Sequence, residues 1–90
     1  MDKINVLVVD DHQQILEIIQ NILHTCPNIG MMDMFSNGFS AYTNLSKNSY
    51  NLCIIDLRLP RMDGFALIKQ VRKVNPEAKI IIVPSINEEK

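Results

Sequence analysis

The sequence predicts an α/β fold, a parallel sheet with helices packed on both of its faces. Two observations carry that prediction. Short apolar runs rich in β-formers alternate along the chain with stretches whose apolar residues recur at helical spacing. Two of the runs, INVLVV from Ile4 and LCII from Leu52, are almost unbroken in apolar character. Strands buried on both faces have that composition.

The elements follow in order. Ile4 to Val9 reads as a central strand with one polar break at Asn5, and it ends on the adjacent carboxylates Asp10 and Asp11. Ile15, Leu16, Ile18, Ile19, Ile22 and Leu23 then mark one face of a helix from about Gln13 to about Thr25, stopped by Pro27. Asn28-Ile29-Gly30 reads as the turn. Met31 to Phe35 is a weaker strand nearer an edge, interrupted by Asp33. Ser36-Asn37-Gly38 turns into a short helix whose apolar face is Phe39, Tyr42 and Leu45, with Ala41. The Asn- and Ser-rich stretch from Asn44 to Asn51 closes it.

Leu52 to Asp56 is the third strand. Its loop ends at Asp63, which is placed to cap a helix with Phe65, Leu67, Ile68, Val71 and Val74 as its apolar face. Asn75-Pro76 ends that helix. Ile80 to Val83 reads as a fourth buried strand, and Ile86 to Lys90 as the first turn of another helix. No internal repeat or low-complexity segment interrupts the pattern.

Composition excludes several functions. Ninety residues make one small domain, and a net charge of −1 leaves no basic footprint for nucleic acid. No apolar run approaches the ~20 residues of a membrane span. Cys26 and Cys53 have no metal-like spacing and read as buried free thiols, which points to a reducing compartment, the cytoplasm.

The chemistry lies at the strand ends. If the first and third strands are neighbours, Asp10, Asp11 and Asp56 converge at the carboxyl edge of the sheet, where open α/β sheets place their ligands. Two carboxylates ~4 Å apart repel by about 4 kcal/mol at an effective dielectric of ~20. Such a cluster persists by raising a pKa or by holding a cation. An all-oxygen donor set of this kind suits Mg²⁺, and a divalent ion beside a buried carboxylate suits phosphoryl transfer onto Asp56. Asp56 taken alone reads more simply as a turn or cap residue, and the Asp10-Asp11 pair reads equally well as a cap of the first helix; it is the combination that points to a metal site. His12 reads as a helix-start residue beside the site rather than as a phosphodonor or a metal ligand.

The chain resembles the receiver domain of two-component response regulators. The resemblance rests on Val8-Val9-Asp10-Asp11-His12 after the first strand and on Ile54-Ile55-Asp56-Leu57-Arg58-Leu59-Pro60-Arg61-Met62-Asp63-Gly64 after the third. Asn37-Gly38 and Asn75-Pro76 also match, so the likeness covers residues 1–90. It implies a flavodoxin-like sheet of order 2-1-3-4. It implies that Asp56 is the phosphoacceptor and that Asp11 is the main Mg²⁺ ligand, with Asp10 as its partner. The backbone carbonyl of Arg58 would join them, and Pro60 and Gly64 would shape the loop. The implied partner is a sensor histidine kinase or a phosphotransfer protein, in a phosphorelay.

The chain departs from the family pattern in two places. The hydroxyl residue that usually ends the fourth strand is replaced by Pro84, so Ser85 is the candidate phosphate-sensing hydroxyl. The fifth strand, with its Lys, and the fifth helix are lacking, which makes the domain incomplete at its C-terminal end. The fourth strand is then expected to be an open edge through which two copies can pair. These departures motivate an alternative, a degenerate receiver that binds partners without phosphorylation. A phosphohydrolase of the haloacid dehalogenase type is disfavoured, because Arg58 stands where its general acid belongs. The domain is therefore expected not to be an enzyme, beyond its own phosphorylation and dephosphorylation.

Overall fold

The computed structural model describes residues 3–59 and 61–83. The element order is β1 (Ile4–Val9), α1 (Gln13–His24), β2 (Ile29–Phe35), α2 (Gly38–Asn44), β3 (Leu52–Asp56), α3 (Gly64–Val74) and β4 (Lys79–Val83). The sheet is parallel, in the order β2-β1-β3-β4. The α/β class is the one expected from the sequence pattern, and the 2-1-3-4 order is the one the resemblance implied.

The layers follow from handedness. The chain steps from β1 to β2 in one direction and then back across the sheet to β3 and β4. Right-handed crossovers therefore place α1 on one face, and α2 and α3 on the other. The two cores show this directly. Leu7, Val9, Cys53 and Ile55 pack with Ala41 and Leu45 of α2 and Leu67 and Val71 of α3. Val6, Val8 and Ile54 pack with Leu16 and Leu23 of α1. Alternate residues of one strand thus serve opposite cores. Val6, Leu7, Val8 and Val9 are all fully buried, each worth ~1.5–3 kcal/mol relative to exposure, which makes β1 the thermodynamic centre of the sheet.

Several elements differ from the sequence reading. β2 begins at Ile29, so Ile29 and Gly30 are strand rather than turn. The cause is Asn5, the polar break in β1. Its N–H donates to Asn51 Oδ1 at 2.8 Å and its own Oδ1 accepts from Met31 N–H at 3.1 Å, which draws β2 alongside the irregular start of β1. Gly30 fits there because a Cβ would lie 2.9 Å from Lys3 Cβ.

The helices are also rotated from their broadest apolar stripes. α1 buries Leu16 and Leu23, but Ile18 and Ile22 are exposed. α2 buries Gly38 and Ala41, and Leu45 just beyond it, while Phe39 and Tyr42 face outwards. α3 buries Leu67 and Val71 and exposes Phe65 and Val74. A seven-residue helix crossing a twisted sheet can press only a narrow stripe against it, and the small residues at 38 and 41 allow the closest approach.

β4 is not the buried strand read from IIIV. Among the described residues it pairs only with β3, and Ile81 and Ile82 are 51% and 44% exposed. Cys26 is exposed rather than buried, whereas Cys53 is buried, and both are free. Burial pushes the Cys53 thiol up to about 11, so it behaves as an apolar packing group. Among the described residues no helix is long and apolar enough to cross a membrane.

The cap expected at Asp63 is present, and Asn37, read as part of a turn and helix start, is a cap as well. Asn37 Oδ1 accepts from Ser40 N–H at 2.8 Å, and Asp63 Oδ1 accepts from Phe65 N–H at 2.9 Å. Asn75 ends α3 and its Oδ1 accepts from Tyr50 N–H at 3.1 Å, tying the end of that helix to the entry of β3.

Candidate functional site

β1 and β3 are neighbours in parallel register, with Val9 opposite Ile55. The next residue on each strand, Asp10 and Asp56, therefore emerges side by side at the carboxyl edge. β1 is also where the chain reverses its direction of travel across the sheet. The two strands' outgoing loops part there, and the crevice between them is the ligand site of such sheets. Both carboxylates are 1% exposed. Asp11, one residue beyond the strand, is more open, with its side chain 34% exposed.

The backbone holds the buried carboxylates. Asp10 Oδ1 accepts from His12 N–H at 2.8 Å, and Asp56 Oδ1 accepts from Arg58 N–H at 2.9 Å. In both cases the donor lies two residues on, in an Asx turn that bends the chain away from the sheet. Among the described residues no hydrogen bond reaches Asp56 Oδ2. Behind the loop, Gly64 N–H donates to Leu57 carbonyl at 3.2 Å. A Cβ on Gly64 would sit 2.6 Å from Leu57 Cα and 2.8 Å from the Asp56 carbonyl oxygen, so only glycine allows this approach. Arg61, in the same loop, has φ of 70°, a left-handed conformation uncommon outside glycine and asparagine.

The structure brings Asp10, Asp11 and Asp56 together. One ligand atom from each, and from His12, lie within 4.8 Å of one another. Arg58 is joined to the cluster through its N–H. Gly64 closes the loop from behind. Pro60, Pro84 and Ser85 lie outside the described residues. The three carboxylates are hard oxygen donors, a set that fits a divalent cation such as Mg²⁺.

Electrostatics agree with that chemistry. Burial raises the Asp56 carboxyl above its ordinary value; the Asp10 and Asp11 charges add to the effect, and the Arg58 N–H and His12 oppose it. His12 supplies a feature that sequence reasoning missed. It is the N-cap residue of α1, as expected for a helix start, but its side chain makes no cap hydrogen bond. Its ring turns into the acid cluster instead, with Nδ1 2.8 Å from Asp10 Oδ1, 3.1 Å from Asp11 Oδ1 and 3.8 Å from Asp56 Oδ2. The hydrogen bond to Asp10, and then the Asp11 charge, raise its pKa. The adjacency Asp11-His12 was the only available signal, and it does not say where the ring points.

A second missed group is Tyr50. It is 3% exposed, and its hydroxyl donates to Asp33 Oδ2 at 2.6 Å and also contacts Asn44 Nδ2. Asp33, read as an interruption of β2, is therefore a paired acceptor. Burial, then Asp33, holds the phenol well above its ordinary value, so it remains a donor.

Comparison with known proteins decides the family. The family model described as "Response regulator receiver domain" matches residues 6–90. The chain belongs to the response regulator receiver family.

Among curated relatives, this receiver is similar to the protein-glutamate methylesterase/protein-glutamine glutaminase of group 3 operon from Bradyrhizobium diazoefficiens. The two are 34% identical over 88 residues, 98% of this chain and 24% of that one. The chain thus spans about a quarter of the length of the curated relatives it matches. Among solved structures, it resembles a CheY-like receiver domain protein from Methanospirillum hungatei, with a TM-score of 0.84 and 25% identity, covering 99% of this chain and 69% of that one. It also resembles RcsB from Salmonella enterica serovar Typhimurium bound to promoter rprA in the presence of the phosphomimetic BeF3−. There the TM-score is 0.81 and the identity 28%, covering 97% of this chain and 50% of that one.

Proposed function

We propose that this receiver accepts a phosphoryl group on Asp56, from a sensor histidine kinase or a phosphotransfer protein, with Mg²⁺ as cofactor. The observation that carries this is the buried Asp56 carboxylate with the ligand atoms of Asp10 and Asp11 gathered within 4.8 Å. Asp56 is held by one oxygen through the Arg58 N–H, which leaves the other to attack phosphorus. As that bond forms, the phosphorus–nitrogen bond of the donor phosphohistidine breaks. A bound divalent ion supplies charge neutralisation for the phosphoryl oxygens. Asp10, Asp11 and the Arg58 carbonyl are its proposed ligands, Pro60 and Gly64 shape the loop, and Ser85 is the proposed phosphate-sensing hydroxyl. The domain catalyses at most its own phosphorylation and dephosphorylation, and acts in the cytoplasm. The likeness to RcsB, whose structure was obtained in the presence of the phosphomimetic BeF3−, supports this reading.

Incubation with Mg²⁺ and acetyl phosphate, read by intact mass, tests it. One phosphoryl adduct is expected, dependent on Mg²⁺ and absent from Asp56→Ala. An adduct that survives Asp56→Ala sinks the assignment.

Pro84 at the usual hydroxyl position favours a second reading, a receiver that binds its partner without phosphorylation. A partner complex unaffected by Asp56→Asn supports that reading, and strict phosphate dependence removes it. We also propose that two copies can pair along the β4 edge, which among the described residues pairs only with β3. Sedimentation showing a monomer across the micromolar range would remove the pairing.

A further inference from the structure

We propose that His12 is a nitrogen ligand of the acidic site and biases it towards borderline transition-metal ions over Mg²⁺. This holds only if the carboxylate cluster takes a divalent cation, as proposed above. The geometry comes first. An octahedral ion with bonds of ~2.1 Å has adjacent ligand atoms about 3.0 Å apart and opposed ones about 4.2 Å apart. His12 Nδ1 lies 2.8 Å from Asp10 Oδ1 and 3.1 Å from Asp11 Oδ1, the spacing of adjacent positions. Its 3.8 Å separation from Asp56 Oδ2 falls between the two values. All four candidate atoms lie within 4.8 Å of one another, so one ion can reach them together.

The backbone explains why the ring is there. His12 is an extended residue, with φ −100° and ψ 111°, between the end of β1 and the start of α1. Its own N–H is tied to Asp10 Oδ1, so the peptide carrying the ring is anchored to the cluster. The ring makes no helix-capping bond, and its outer part is open to solvent, with the side chain 55% exposed. An imidazole can therefore take a ligand position without disturbing the core. The other clusters of soft donors do not offer this. His24, Cys26, Met32 and Met34 line one cavity of about 370 Å³, but the group of His, Cys, Asp and Glu gathered within ligand reach among the described residues is the acid cluster with His12.

The chemistry then sets the consequence. Carboxylate, carbonyl and water suit Mg²⁺ and Mn²⁺, whereas imidazole suits Ni²⁺, Zn²⁺ and Cu²⁺. Exchanging one oxygen donor for imidazole steepens the site's preference along the divalent series. It adds little for Mg²⁺, which holds nitrogen ligands poorly.

The test uses the full chain, its His12→Gln variant, and His24→Gln as a control for adventitious histidine binding. Mn²⁺ bound to the wild type should show ¹⁴N coupling in electron-spin-echo spectra, lost in His12→Gln and retained in His24→Gln. Calorimetric Ni²⁺ affinity should fall roughly ten-fold or more in His12→Gln, while Mg²⁺ affinity changes less than about two-fold. Bound Mn²⁺ without nitrogen coupling overturns the proposal and leaves the carboxylate site standing. So does a His12→Gln variant that binds every ion more tightly, because the ring is then a counter-ion that metal displaces. If no divalent ion binds in a manner abolished by Asp11→Asn, the cation site itself is wrong, and the role of His12 falls with it.

Discussion

Replacing Asp56 by Asn should stabilise the protein when divalent cations are chelated. Asp56 is 1% exposed, and its ligand atom lies within 4.8 Å of those of Asp10 and Asp11. At 4.8 Å and an effective dielectric of ~20, each like-charge contact costs about 3 kcal/mol. Two effects reduce the sum. Asp11 is 34% exposed and screened by solvent, and His12 Nδ1, 3.8 Å from Asp56 Oδ2, supplies an opposing charge. The net gain from Asn at pH 7 is then about 1–2 kcal/mol. A domain of this size converts each kcal/mol into roughly 4–8 °C of Tm. Asn creates no cavity, and its Oδ1 still accepts the Arg58 N–H.

The pH dependence has a definite sign. Burial, and then Asp10 and Asp11, raise the Asp56 pKa in the folded state above its ordinary value of 3.8. An acid of that kind destabilises the fold as pH rises from the unfolded pKa through the folded one. The penalty is absent below the first and complete above the second. The advantage of Asp56→Asn should therefore be larger at neutral pH and shrink as pH falls towards about 4. Urea unfolding in EDTA at pH 7 and pH 4.5 measures it. A variant less stable than wild type at pH 7, or an advantage equal at both pH values, would refute the reasoning. Added Mg²⁺ should stabilise the wild type by mass action and narrow the gap.

Two further substitutions probe the supports of the site and the fold. Gly64→Ala places a methyl group 2.6 Å from Leu57 Cα and should cost ~1–3 kcal/mol in urea unfolding. Because the same methyl group pushes on the Asp56 carbonyl, it should also slow phosphorylation by acetyl phosphate by roughly ten-fold or more. Unchanged stability and rate would show that the loop relaxes freely. Tyr50→Phe removes the donor to Asp33 Oδ2 and the partner of Asn44, and should lower the urea midpoint by an amount equivalent to ~1–3 kcal/mol. The adduct yield on Asp56 should be unaffected, since the hydrogen bonds of Tyr50 run to Asp33, Asn44 and Asn75 and not to the acid cluster.

The order of elements, the parallel sheet and the three carboxylates were legible in the sequence because each rests on local chemistry. Unbroken apolar runs identify β1 and β3, helical periodicity identifies α1 and α3, and Asn37 and Asp63 declare the starts of their helices through side chains that bond two or three residues onward. Asp10, Asp11 and Asp56 were visible as strand-end carboxylates, and the motif from Asp56 to Gly64 carried the resemblance. Tertiary structure decided the rest. A periodic stripe defines a helix face but not the rotation at which it meets the sheet, so Ile18, Phe39 and Phe65 read as core and stand exposed. IIIV by itself reads the same in a central or an edge strand; the resemblance implied the outer place in a 2-1-3-4 sheet, and its pairing with β3 alone, among the described residues, agrees with that. Asn5 with Asn51, and Tyr50 with Asp33, are separated by 46 and 17 residues, and nothing local marks either pair. The same holds for His12. Its position beside the acids was in the sequence, but the rotation that sets Nδ1 among three carboxylates comes from a backbone anchored to Asp10 in the folded chain.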